Sequence, residues 1–102
     1  MTFNVVDNSR ERDEVIIVIS GELDIFTIGE VMNKIDELTV RTCILDFSGV
    51  TFIDSSGIGF VLRKIMDWQE EGRSLTFINL QPAVHEVMEE MGAFLILEEV
   101  LK

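Results

Sequence analysis

A second cysteine is missing from the sequence, so Cys43 can form no internal disulfide. Set in the apolar run Cys43-Ile44-Leu45, it reads as a small buried hydrophobe. A second histidine is missing too, and no cysteine stands at ligand spacing from His85. His85 therefore reads as a solvent-facing helix residue, and no metal is expected. Basic residues are scarce: eight Lys and Arg face nineteen Asp and Glu, a formal charge of -11. Such a surface repels phosphate backbones and anionic lipid, which argues against direct nucleic-acid binding and against a membrane. The acidic surplus fits a basic protein partner and equally fits a plain solvated surface.

Long apolar runs are also lacking. No stretch approaches the ~20 residues that span a bilayer, and no basic segment followed by an apolar one opens the chain. A cytoplasmic location is the expectation. No internal repeat, low-complexity tract or Pro/Gly/Ser-rich linker marks a boundary, so residues 1-102 are expected to form one domain.

What the chain does have is apolar residues, 47% of the total, against 26% charged, a balance that supports a packed core. Phe3-Asn4-Val5-Val6, the charged turn from Asn8 to Asp13 and the β-branched run Val15 to Ile19 predict a β-hairpin. After Gly21 the apolar period changes: Ile28, Val31, Met32, Ile35 and Leu38 fall at helical spacing, with Asp24 or Thr27 as cap. Thr42 to Phe47 reads as a strand buried on both faces, which requires a helix on each side. Ile58, Val61, Leu62 and Ile65 predict a second helix, running from the Asp54-Ser55-Ser56-Gly57 segment to Glu71 and stopped by Gly72. Leu75 to Ile78 is a further strand. Pro82 opens a third helix with the stripe Val84, Val87, Met88 and Met91, closed by Gly92. Phe94-Leu95-Ile96-Leu97 then reads as a last short strand or apolar tail. A hairpin followed by alternating helices and strands implies an α/β domain with a mixed sheet whose later strands are parallel.

Signs of catalysis are weak. Gly57-Ile58-Gly59 begins like a dinucleotide fingerprint, but Leu62 stands where the third glycine belongs. There is no Gly-x-x-x-x-Gly-Lys phosphate loop and no Gly-x-Ser-x-Gly elbow around Ser55. Glu70-Glu71 and Glu89-Glu90 read as solvated helix faces, and Trp68 as a buried ring at the edge of the core. No enzyme and no cofactor is expected.

The stretch from Ile44 through Asp54-Ser55-Ser56-Gly57-Ile58-Gly59 resembles the signature of the STAS family, named for sulfate transporters and anti-sigma factor antagonists. Gly21-Glu22-Leu23-Asp24 is similar to the family's motif after the second strand, and the order of elements matches from Phe3 to about Leu97. The resemblance implies a binding module of the antagonist branch. Its unphosphorylated form would capture an anti-sigma factor that is also a serine kinase, freeing a sigma factor and so acting on transcription by partner switching. Phosphorylation of the first hydroxyl after the motif aspartate, here Ser55, would end the capture, and a phosphatase would reset it. The partner-binding surface implied comprises Glu22, Asp24, Asp54, Ser55, Ser56, Gly57, Ile58 and Gly59. The family's usual final helix is expected to be absent, since the chain stops soon after the last apolar run, and the protein is expected to be a monomer or weak dimer. A non-catalytic STAS subunit of a membrane transport complex or signalling assembly is the alternative.

The motif residues suit a switch. A helix N-terminus presents unpaired N–H groups and partial positive charge, so it tolerates a phosphate without unfolding. Gly57 and Gly59 would let another backbone approach the first turn. Three assignments remain open in the sequence: Ser56 could be the cap or a second acceptor, Asp24 could contact the kinase or cap the first helix, and the helix start could shift by a residue.

Overall fold

The computed structural model describes residues 1–101. Nine elements follow in order: β1 (Thr2–Asn8), α1 (Ser9–Arg12), β2 (Glu14–Leu23), α2 (Ile28–Asp36), β3 (Thr42–Ile53), α3 (Ser55–Glu70), β4 (Ser74–Ile78), α4 (Pro82–Glu90) and α5 (Ala93–Val100). The sheet order is β1-β2-β3-β4, with β1 antiparallel to β2 and the other pairs parallel. This is the α/β architecture that the hairpin and helical periods imply. The charged hairpin turn contains one turn of helix, α1, closed by Asp13 in the left-handed region at φ 52°.

Parallel register lines up Val15, Cys43 and Leu75, and beside them Ile17, Leu45 and Phe77. These side chains face α2, α3 and α4, whose stripes Ile28-Val31-Met32-Ile35, Ile58-Val61-Leu62-Ile65-Trp68 and Val84-Met88 complete one core. Phe47 stacks on Phe77 at 5.6 Å between ring centroids. Cys43 is fully buried, and burial pushes its thiol up to about 12. Trp68 is buried as well, under the Arg73 guanidinium at 3.7 Å from its ring centroid. Arg73 also donates to the carbonyls of Val40 (2.9 Å) and Leu38 (2.8 Å), clamping the α2–β3 loop to the α3–β4 turn.

Two expectations need correction. β3 is not covered by helices on both faces: Cys43, Leu45 and Phe47 are buried while Thr42, Ile44 and Asp46 between them are half-buried. All the buried helical residues belong to the core on the first face. On the second face Ile44 is shielded by its register partners, Ile16 on β2 and Thr76 on β4, so apolar chemistry there reflects neighbouring strands and not a second helical layer. β3 also continues to Ile53, with register shifts against β2 between Val18 and Ser20 and between Gly21 and Glu22. Gly49 permits this, because a Cβ there would meet the Ile19 carbonyl oxygen at 2.9 Å.

The second correction concerns the C-terminus. Phe94 to Leu97 is neither strand nor tail but the body of α5, so the final helix expected to be absent is present. Gly92, left-handed at φ 74°, ends α4 and starts α5, which buries Ala93 and lays Phe94 and Leu97 against the core. A four-residue apolar run cannot show a 3.6 period, so composition alone did not separate helix from strand.

Candidate functional site

β2 and β3 are parallel and in register at their C-terminal ends, with Glu22 opposite Phe52 and Leu23 opposite Ile53. Their two βα turns therefore lie side by side at the carboxyl edge of the sheet, where α/β folds place ligands. The Asp54 N–H donates to the Leu23 carbonyl at 3.1 Å and ties the turns together.

At the end of β3 the chain turns at Asp54, in extended conformation, and its Oδ1 accepts from the Gly57 N–H at 2.8 Å. The Ile58 N–H donates to the Asp54 carbonyl at 3.0 Å. Asp54 is thus the N-cap of α3, which decides the choice the sequence left open: Ser55 is the first helical residue and Ser56 the second. Ser55 is exposed and Ser56 half-buried, and neither hydroxyl makes a hydrogen bond among the described residues. The Gly57 and Ile58 amides are engaged by Asp54, leaving those of Ser55 and Ser56 as the unpaired N–H groups of this helix end.

The motif residues divide into two sets. Gly57 is buried, and a Cβ there would fall 2.8 Å from the Leu23 carbonyl oxygen and 3.0 Å from Ile53 Cγ1. Its bareness serves the internal seating of α3 against β2, where the sequence suggested room for another protein. Ile58 is 2% exposed and belongs to the core, so its side chain is out of a partner's reach. Gly59 is exposed with nothing near its missing Cβ. Ser55, Ser56, Gly59, Phe60 and Arg63 line one shallow, open depression along α3.

The end of β2 is closed by a compact turn. Asp24 Oδ1 accepts from the N–H groups of Phe26 (2.9 Å) and Thr27 (3.1 Å), while Thr27 Oγ1 accepts from the Asp24 N–H (3.0 Å) and donates to the Glu22 carbonyl (2.8 Å). Asp24 is therefore committed to holding this turn ahead of α2 through one carboxylate oxygen. Glu22 is exposed beside it. The turn projects Ile25 and Phe26 into solvent, 62% and 90% exposed, and Phe60 on α3 is 51% exposed.

Those three residues were not singled out in the sequence. A signal was available: Phe60 misses the stripe Ile58-Val61-Leu62-Ile65, and Ile25 and Phe26 precede the stripe that starts at Ile28. The remaining candidates lie elsewhere. His85 is exposed on α4, against Phe94 at 4.8 Å and 3.6 Å from Glu89, and the paired glutamates are exposed.

Comparison with known proteins bears on the same elements. An anti-sigma F factor antagonist of Paenibacillus polymyxa is 29% identical over 90% of this chain and 82% of its own. The solved unphosphorylated form of the anti-sigma factor antagonist SpoIIAA superposes with a TM-score of 0.73, at 31% identity, over 90% of this chain and 82% of that one. SpoIIAA of Bacillus in its phosphorylated form superposes with a TM-score of 0.68, at 28% identity, over 91% and 86%. The STAS domain profile matches residues 6–100, from β1 through α5. The sheet order, the capped turn after β3 and the final helix all fall within that match, and this chain belongs to the STAS domain family.

Proposed function

We propose that the protein is an anti-sigma factor antagonist that works by binding and not by catalysis. In this reading the unphosphorylated molecule captures an anti-sigma factor with serine kinase activity and thereby frees a sigma factor. The kinase transfers the terminal phosphoryl group of ATP to Ser55 Oγ, the hydroxyl proton is lost, ADP leaves, and the capture ends. A phosphatase hydrolyses the ester and restores the binding form. The observation that carries the assignment is Ser55 itself: an exposed, unbonded hydroxyl at the first position of a helix capped by its neighbour Asp54.

Electrostatics explain how one group could act as a switch. A phosphate brings about 1.5 to 2 negative charges, and here it would join Asp54, Asp24 and Glu22 on a molecule already at -11. The free amides of Ser55 and Ser56 offset part of that charge within the isolated protein, so the fold survives. At a docked interface the same charge must be dehydrated or face carboxylates, and each tenfold loss of affinity needs only about 1.4 kcal/mol. Blocking is therefore sufficient without rearrangement. The same surface charge supports a protein partner over nucleic acid, and a cytoplasmic monomer or weak dimer is part of the reading. Among the described residues no helix is long and apolar enough to cross a membrane.

The test is phosphate incorporation by the cell's own anti-sigma factor kinase, read by mass spectrometry. Ser55→Ala should abolish labelling while Ser56→Ala retains it. Undiminished labelling of Ser55→Ala would refute the site, and a kinase that neither binds nor labels the wild-type protein would refute the function.

A further inference from the structure

The most exposed aromatic ring in the molecule, Phe26, stands on the turn bonded to the Ser55 turn. Single exposed apolar residues need no explanation. Here, however, Ile25 and Phe26 project from one of two adjoined turns, and Phe60 lines the same depression as Ser55 and Ser56 on the helix that starts at the other. α2 and α3 pack side by side, so both turns belong to one end of the molecule.

The exposure of Phe26 does not come from a loose loop. Its own N–H is held by Asp24 Oδ1 at 2.9 Å, and Thr27, next in sequence, exchanges hydrogen bonds with Asp24 and donates its hydroxyl to the Glu22 carbonyl. A ring held out in water by a rigid turn loses little freedom when another protein covers it, which is the property of an anchor. The adjoining helix surfaces are bare. Gly29 on α2 and Gly59 on α3 are exposed, and a Cβ at either would meet nothing within 4 Å, so neither glycine is required by internal packing. Glycine inside a helix costs stability, and at both positions the compensation available is close approach from outside.

We propose that Ile25, Phe26 and Phe60 form the apolar anchor by which the unmodified protein holds its anti-sigma factor, with Gly29 and Gly59 as the flat ground beside it. This deepens the function proposed above and rests on it. The occupant is defined by chemistry: a protein offering an apolar hollow for Phe26, rimmed by Lys and Arg to meet Glu22, Asp24, Glu30 and Asp54. Continuity with the acceptor hydroxyl selects this partner over others, because the anchor and Ser55 would be covered together. In this arrangement a phosphate on Ser55 would be enclosed beside apolar side chains and stripped of water, which would oppose docking.

The experiment uses the whole chain as bait in its own cells, followed by titration of the purified anti-sigma factor it recovers. Phe26→Ala and Phe60→Ala should each weaken binding about 30-fold, about 2 kcal/mol, with an unchanged melting temperature. Gly59→Arg, which meets open space within the protein, should weaken it as much. Val6→Ala, exposed on the open face of the sheet, should bind as wild type does. If wild type captures the anti-sigma factor and both phenylalanine variants bind it within threefold of wild type, the anchor is overturned while the function stands. If wild type captures no anti-sigma factor, the function falls and the anchor with it. A homodimer dissolved by Phe26→Ala would overturn the choice of occupant.

Discussion

Gly57 and Gly59 stand two positions apart in α3 with opposite surroundings, and the difference sets the sign of a substitution. At Gly57 a methyl group would press on the Leu23 carbonyl at 2.8 Å, and backbone cannot yield as a side chain would. Gly57→Ala should therefore cost about 1–3 kcal/mol, as overpacking does, and should reduce labelling of Ser55 by displacing the first turn. At Gly59 the methyl meets nothing, and the gain in helix propensity should stabilise the protein by about 0.5–1 kcal/mol. Urea denaturation of the pair measures both; a destabilised Gly59→Ala, or a neutral Gly57→Ala, would contradict this geometry. Cys43 supplies a further check at this scale. With its thiol buried and pushed up to about 12, it should resist a thiol reagent at pH 8 and react only at the rate of unfolding.

Among the elements, α5 and the link between β3 and α4 show how tertiary contacts settle what local pattern does not. Gly92 turns the chain so that an apolar tetrad too short to declare its period lies on the core as a helix. Replacing Leu97 by Asp should cost about 2 kcal/mol by removing part of that contact, read as a lower urea midpoint, whereas Leu95→Asp on the exposed side should cost little. Where β4 ends beside β3, Asp46 Oδ1 accepts from the Ser48 N–H at 2.9 Å and from Asn79 Nδ2 at 3.3 Å, and Gln81 Nε2 donates to the Ser48 carbonyl at 2.7 Å. The Ser48 amide hydrogen bond holds the Asp46 carboxyl below its ordinary 3.8. Because the folded value is the lower one, the stabilisation is present above pH 3.8 and is lost as pH falls through the folded value. Asp46→Asn should accordingly melt below wild type at pH 7 and approach it as pH falls below 3.8; a gap that does not narrow in acid would show that charge is not involved.

At the scale of the whole molecule the dominant quantity is charge. The ion pairs, such as Lys64 with Asp36 at 2.6 Å and Arg63 with Asp67 at 3.3 Å, lie at the surface and contribute little each, while a net -11 on 102 residues repels itself. Salt should therefore raise the melting temperature between about 0.02 and 0.5 M, where the Debye length shrinks to a few ångströms; a fall over that range would mean that the ion pairs outweigh the repulsion. The hairpin, the three amphipathic helices and the start of α3 within Asp54-Ser55-Ser56-Gly57 were legible in the sequence because each depends on neighbours within a few positions: alternation, 3.6-residue spacing, a cluster of helix-start residues whose cap only the structure identifies as Asp54. Those local rules hold wherever the chain lies. The open second face of the sheet, the helical form of Phe94 to Leu97, the internal role of Gly57 and the outward thrust of Phe26 were not legible, because each depends on what stands opposite. Local periodicity specifies which residues can share a face; only the packed register of β2 against β3 decided what that face meets, a neighbour or water.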